Sequence, residues 1–138
     1  MQYWLLKSEP DEWSWTEQVA IGELGEPWTG VRNYQARNYM QQMRVGDLGF
    51  FYHSGKVRSV VGTVEVIKAY EPDPTDATGK FGMVTVKARC FLTPVSLSWI
   101  KEHSMLQMMK LNKQPRLSVQ PVTKEEWDII VSKGNITE

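Results

Sequence analysis

A chain of 138 residues and 15.9 kDa, 41% apolar and 23% charged, has the size and composition of one globular domain. It is long enough to bury roughly two-thirds of its unfolded surface, so it needs no disulfide or metal to fold; its single cysteine, Cys90, excludes an internal disulfide and a multi-cysteine zinc site. The 16 basic and 16 acidic residues cancel, which argues against a strongly basic coat that binds any nucleic acid.

No apolar run approaches the roughly 18 residues of a membrane span. Met1-Gln2-Tyr3-Trp4-Leu5-Leu6-Lys7 lacks the basic flank and long apolar run of a signal peptide. A reducing cytoplasmic (or nuclear) setting away from membranes is therefore expected. Asn135-Ile136-Thr137 matches a glycosylation acceptor, which has no meaning outside a secretory route. The charge is unevenly spread. Residues 1–30 carry one lysine and six acidic residues, whereas residues 31–58 carry five lysines and arginines against Asp47 alone. Six tryptophans stand out more than the charge, because an indole near the surface is costly to leave unused.

Residues 2–6 are a short apolar, aromatic run that suits a strand. Pro10 ends it, because proline lacks a donor and biases Glu9 away from helix. Ser14-Trp15-Thr16-Glu17 has the capping-box spacing and predicts a helix to about residue 23. Residues 25–30, with Pro27 and Trp28 between glycines, read as a loop. Asn33 suits an N-cap, and Ala36, Met40 and Met43 mark a helical stripe behind it. Val45-Gly46-Asp47 turns into a strong strand over residues 48–52. Residues 59–68 alternate as a strand, residues 71–76 read as a rigid polar loop, and residues 83–91 are another strand, ending at Pro94. Ser96 or Ser98 starts a helix predicted to run to about residue 110, with Met105, Met108 and Met109 as core positions. Residues 116–119 are a short strand candidate. Thr123-Lys124-Glu125-Glu126 repeats the capping box, with Val122 and Trp127 in the staple positions and Gly134 at the stop. Five strands with inserted helices and no regular βαβ alternation predict one α+β domain over residues 1–138, a mostly antiparallel sheet or small barrel.

The phosphate-loop, dinucleotide, H-E-x-x-H and nucleophile-elbow signatures are all missing, so neither cofactor nor metal is expected. Cys90 falls in a strand pattern with Val86 and Ala88 and reads as a small buried hydrophobe. His103, between charged neighbours, reads as a solvated helix position. Four polar clusters ask for more. Residues 31–38 hold Arg32, Asn33, Tyr34, Gln35, Arg37 and Asn38, pairing guanidiniums with amides whose donors and acceptors match base edges and phosphates. Tyr52-His53-Ser54 and Lys7-Ser8-Glu9-Pro10 lie at strand ends, where sites tend to gather. Arg116-Leu117-Ser118-Val119-Gln120 alternates, with Leu117 and Val119 on one face and Arg116, Ser118 and Gln120 on the other.

Four stretches occur in a telling order. They are Tyr3 through Pro10 (YWLLKSEP), Trp28 through Asn38 (WTGVRNYQARN), Gly46-Asp47 leading to Phe51-Tyr52-His53-Ser54, and Arg116 through Val122 (RLSVQPV). Together they resemble the EVE domain family over essentially the whole chain. Departures fall in residues 71–81, long here, and at Gly49. The resemblance implies a PUA-like fold, a mixed, mostly antiparallel β pseudo-barrel with surrounding helices. Members of the wider superfamily bind RNA or hold a modified base in an aromatic cage. EVE domains, many of them small stand-alone bacterial proteins, are implicated in reading modified cytosines or other modified bases in DNA. Some are fused to nucleases; no nuclease portion is read here, so a base would be read alone or with a separate nuclease or modification-system partner.

A base reader must extract a base, hold its faces and test its edge. Trp13, Trp15, Trp28, Tyr34 and Tyr52 are the candidates for the faces, foremost Trp15, Trp28 and Tyr52. Asn33, Gln35, Asn38 and Ser118 are candidates for the edge, and Ser8, His53, Ser54 and Gln120 complete the pocket set. Lys7, Arg32, Arg37, Lys56, Arg58 and Arg116 are the candidates for phosphates. Two other function classes use the same residues. Lys7, Glu9 and His53 would serve an enzyme on a modified nucleobase or nucleoside as acid and base groups. A pocket for a small ligand or peptide, without nucleic acid, would fit the zero net charge.

Overall fold

The computed structural model describes residues 1–134, so Asn135-Ile136-Thr137 lies outside the described residues. In chain order the elements are β1 (Tyr3–Ser8), α1 (Trp15–Ala20), a 3-10 turn (Gly22–Leu24), β2 (Glu26–Pro27), α2 (Tyr34–Gln42), β3 (Leu48–His53) and β4 (Ser59–Pro72). There follow β5 (Gly82–Ser96), α3 (Leu97–Glu102), a second 3-10 turn (Ser104–Leu106), α4 (Lys110–Lys113), β6 (Val119–Val122) and α5 (Lys124–Lys133). The strands join in the order β2-β5-β4-β3-β1-β6. Among the described residues β1 and β3 pair in parallel and the other pairs are antiparallel. The sheet is thus mixed and mostly antiparallel, with β2 and β6 as its edges, and it is not closed.

Alternation along β1 and β3 divides the core in two. Trp4, Leu6 and Phe51 join Ala36, Met40, Val64, Val84 and Val86 on one face. Leu5, Phe50 and Tyr52 join Val60, Leu92, Ile100, Trp127 and Ile130 on the other. Phe50 stacks on Trp127 at 4.1 Å between ring centroids. The buried Asp47 pins the start of β1 to the turn before β3. It accepts from the backbone amides of Gln2 (3.1 Å) and Arg44 (3.0 Å) and from Trp4 Nε1 (3.1 Å). Burial opposes its ionisation, but the hydrogen bonds from Arg44, Trp4 and Gln2 outweigh that and hold its pKa below the usual carboxylate value.

The three expected caps form. Ser14 with Glu17, and Thr123 with Glu126, make reciprocal capping boxes. Asn33 Oδ1 accepts from the Ala36 amide at 2.9 Å. Asn33→Ala is expected to cost about 1 kcal/mol in urea unfolding, the usual cost of losing such a cap.

Several boundaries differ from expectation. Helix α1 stops at Ala20 and gives way to the 3-10 turn, and the loop over residues 25–30 contains the short edge strand β2. Strand β4 runs on to Pro72, so Glu71 and Pro72 leave the polar loop and pair with Met83 and Gly82. Strand β5 continues past Pro94, and β6 starts only at Val119. The single helix expected to reach residue 110 is broken into three pieces. His103 is extended (ψ 124°) and its Nδ1 accepts from the Met105 amide at 3.1 Å. Gln107 Nε2 donates to the carbonyls of Lys101 and His103, both at 2.8 Å. Side chains thus satisfy backbone groups that a continuous helix would pair. Of the three methionines only Met109 is buried; Met105 and Met108 are exposed. Cys90 is half-buried, less enclosed than expected. No helix among the described residues is long and apolar enough to cross a membrane. No cluster of three or more metal-ligating side chains occurs among them.

Candidate functional site

The parallel strands β1 and β3 end in register, with Ser8 opposite His53. The chain then leaves the sheet. The Lys7 amide donates to Ser118 O at 2.9 Å and the Ser54 amide to Ser8 O at 3.0 Å. These strand ends, together with β2 and the residues after it, surround a cavity of about 490 Å³. Two indoles line it, Trp13 and Trp28. Ser8, Thr29, Ser54 and Ser118 supply hydroxyls. Lys7 and Arg116 supply cations, against the carboxylates of Glu9, Glu12 and Glu26.

Each indole is held from behind. Trp13 Nε1 donates to Gln18 Oε1 at 2.8 Å, and the fully buried Gln18 is itself fixed through Nε2 to the Val86 carbonyl at 3.1 Å. Ser8 Oγ donates to the Trp13 carbonyl at 2.6 Å. Trp28 is 8% exposed, sits edge-on to Phe51 at 5.7 Å, and its amide donates to Val84 O at 2.7 Å. The wall carrying Trp28 and Thr29 is anchored one residue further on. Asp73 accepts from the Gly30 amide at 2.8 Å, from Thr75 Oγ1 at 2.6 Å, from the Thr75 amide at 2.7 Å, and from Arg32 Nη1 at 3.1 Å. Burial would raise the Asp73 carboxyl, but hydrogen bonds from Thr75, Gly30 and Arg32 bring its pKa down to about 2.

The cavity's charged groups are shaped by burial. Desolvation lowers the pKa of Lys7, whose Nζ donates to Pro115 O and lies 5.7 Å from the Tyr52 ring centroid. Desolvation, and then the charge of Glu17, raise that of Glu26.

Of the residues singled out from the sequence, Ser8, Trp28, Ser54, Ser118, Lys7 and Arg116 meet in this cavity. Trp13 and Glu9, also named from the sequence, line it as well; the remaining candidates do not. Trp15 lies over β4, where a Cβ at Gly62 would overlap its ring, and lines a second, smaller groove with Val19 and Phe91. Tyr52 is buried in the second core, and Gln120 is fully buried with its amide donating to Leu117 O at 2.8 Å. His53 Nε2 accepts from the Trp15 amide at 3.0 Å, and desolvation lowers its pKa. Asn33 caps α2, Gln35 pairs with Gln114, and Asn38 accepts from Arg37 at 2.9 Å. Tyr34 is exposed and packs on Phe81 at 5.0 Å, with the Arg37 guanidinium 4.8 Å from its ring. Arg32 is taken by Asp73 and Thr75. Lys56 and Arg58 lie in the turn between β3 and β4, away from the cavity.

Thr29, Glu12 and Glu26 line the cavity without having been singled out, and Trp13 had ranked behind Trp15. One signal was present for Glu26. It precedes Trp28 by two residues in a non-helical segment, which places both side chains on one face.

A model of the EVE domain matches residues 2–133. Thymocyte nuclear protein 1 of Gallus gallus is 37% identical, over 94% of this chain and 67% of that protein. The crystal structure of a protein from Agrobacterium tumefaciens is 51% identical with a TM-score of 0.95, over 99% of this chain and 94% of that one. The human THYN1 protein, solved in complex with 5-methylcytosine-containing DNA, is 29% identical with a TM-score of 0.90, over 100% of both chains. The match across nearly the whole described chain, with the same architecture in these relatives, means that this protein belongs to the EVE domain family.

Proposed function

We propose that this chain is a non-catalytic DNA-binding domain that takes a modified base, such as a modified cytosine, out of the stack and into the cavity at the ends of β1 and β3. The observation that carries this reading is the meeting of two indoles, four hydroxyls and two cations around one cavity of about 490 Å³. It is supported by a relative solved on 5-methylcytosine-containing DNA. A base stacked on an indole gains about 1–3 kcal/mol, enough to offset much of the few kcal/mol spent on unstacking it. Lys7 and Arg116 give a short phosphate contact beside the pocket, while Glu9 and Glu12 repel phosphates along the rest of the rim. Binding without the modified base is therefore weak, and the pocket supplies the selectivity. Cleavage or other chemistry at the marked site falls to a separate nuclease or modification-system partner.

The test is binding to a panel of DNA and RNA oligonucleotides, single- and double-stranded, each with one modified base, at several salt concentrations. One modification is expected to bind tightest, with affinity falling as salt rises. Arg116→Ala is expected to reduce the slope of log affinity against log salt by about 1 while leaving the preferred modification unchanged. Uniformly weak binding across the panel would overturn the proposal.

A further inference from the structure

Among the cavity's charged groups, Glu26 has a distinct position. Lys7 is tied to Pro115 O, whereas none of the three cavity carboxylates has a side-chain hydrogen bond or ion pair to any of the described residues; Glu9 and Glu12 are exposed to solvent, and Glu26 is not. It is half-buried, faces the cavity, and stands on the same side of the chain as Trp28. A partly desolvated carboxyl without a partner is costly unless something else completes its hydrogen bonds. In the open cavity water does so until an occupant takes its place.

A carboxyl group next to a stacking indole is suited to one kind of base edge. Cytosine presents an exocyclic N4 amine, a donor, beside N3, an acceptor. Thymine presents the reverse, a carbonyl O4 beside an N3–H. A protonated carboxyl matches the first pattern twice, since its O–H donates to N3 and its other oxygen accepts from N4–H. Thymine can also meet a protonated carboxyl, through O4 and N3–H, but its O4 is a much weaker base than the cytosine ring nitrogen, so it shares the proton less well and leaves more of the cost of protonating Glu26 uncompensated. We propose that Glu26 reads the base edge in this cavity and selects an amino base of the cytosine type over thymine, an inference that rests on the cavity being a base pocket.

Binding then carries a proton balance. One proton is shared between Glu26 and the base's ring nitrogen in the complex, whereas the free carboxyl is ionised at neutral pH. Each binding event therefore takes one proton from solvent. Affinity rises as pH falls, by up to about tenfold per pH unit, and levels off below the pKa of free Glu26. Burial and the Glu17 charge raise that pKa, which brings the plateau nearer to neutral pH. Several other groups surround Glu26. They are Glu17 on α1, Lys7 on β1, Glu9 and Glu12 after it, Arg116 before β6, and on β5 Lys87, which is paired with Glu23 at 2.7 Å. Comparison of wild type with a single Glu26 variant removes their contributions.

The discriminating variant is Glu26→Gln. A glutamine amide offers the same acceptor and donor as a protonated carboxyl but takes up no proton. The experiment measures affinity from pH 5 to 8 for two duplexes identical except for 5-methylcytosine or thymine opposite one guanine. These bases share the 5-methyl group, and the mismatched thymine is the easier one to extract, so a preference for cytosine arises from the edge. Wild type is expected to favour 5-methylcytosine by about 10- to 100-fold with affinity rising toward low pH. Glu26→Gln is expected to lose the pH slope and most of the preference, because its amide can turn over and pair with either edge without sharing a proton. Glu26→Leu is expected to lose the preference. Retained preference in Glu26→Leu, or the same pH slope in wild type and Glu26→Gln, would overturn the role of Glu26 and leave the base pocket standing. Failure of wild type to bind either duplex or any oligonucleotide of the wider panel would instead remove the pocket reading, and this inference with it.

Discussion

Trp13→Ala is expected to weaken binding of the preferred modified oligonucleotide by about 10- to 100-fold, because one stacking face is worth about 1–3 kcal/mol. The ring is held at the cavity by Gln18, which in turn is fixed to the β5 backbone. That scaffold persists when the indole is removed, so the loss falls mainly on the ligand. The salt dependence should stay as in wild type, since no phosphate contact is lost. Trp13→Phe should recover much of the affinity, because it restores an aromatic face without the N–H to Gln18. Fluorescence anisotropy titrations at two salt concentrations would measure all three quantities. An Ala variant with wild-type affinity would show that the base does not stack on Trp13. Trp28 is the less informative position. At 8% exposure it is part of the core, so its removal is expected to cost about 3–5 kcal/mol of stability and to confound the binding result.

Asp73→Ala is expected to destabilise the fold by about 2 kcal/mol and to change its acid response. Its side chain is fully buried at the ion pair with Arg32 and gathers four hydrogen bonds, including the one from Gly30 beside the cavity wall. Its pKa of about 2 in the fold lies below the ordinary carboxylate value of about 3.8. A depressed pKa means that the native state holds the ionised form more tightly than the unfolded chain does. The stabilisation is therefore complete above about pH 4 and is lost as pH falls toward 2. Asp47 titrates with the same sign, so the wild-type curve contains both contributions. Urea unfolding from pH 7 to 2 should show wild type converging on Asp73→Ala at the acid end. A constant gap between the two across that range would contradict the assignment. Base binding should weaken as well, because the Trp28–Thr29 wall loses its anchor at Gly30.

How much was legible in the sequence depended on how local the determining interactions are. The caps at Ser14, Asn33 and Thr123 each join groups three residues apart, and all three formed as read. The helix expected to reach residue 110 failed because its methionine spacing signals a periodic face and says nothing about His103 and Gln107 taking over the backbone hydrogen bonds. The amide-rich stretch from Asn33 to Asn38 looked like a base reader by composition. In the fold those amides cap α2 and pair with Gln114 and Arg37, outside the cavity.

The sequence alone determined the α+β class, most strands and helix starts, and membership of a family through motifs carried in order along the chain. It also brought out half of the cavity, since Ser8, Ser54 and Ser118 sit at strand ends that alternation and turn residues mark. Which aromatic rings face that cavity was decided only by the tertiary structure. Trp13, Trp15, Trp28 and Tyr52 are equivalent as residue types. Their fates differ because Gln18 holds Trp13 at the opening, Gly62 leaves room for Trp15 over β4, and the pleat of β3 turns Tyr52 into the opposite core. A local pattern records whether a side chain is buried. The cavity is built from segments around residues 8, 13, 27, 54 and 117, and the packing that brings them together is not written in any one of them.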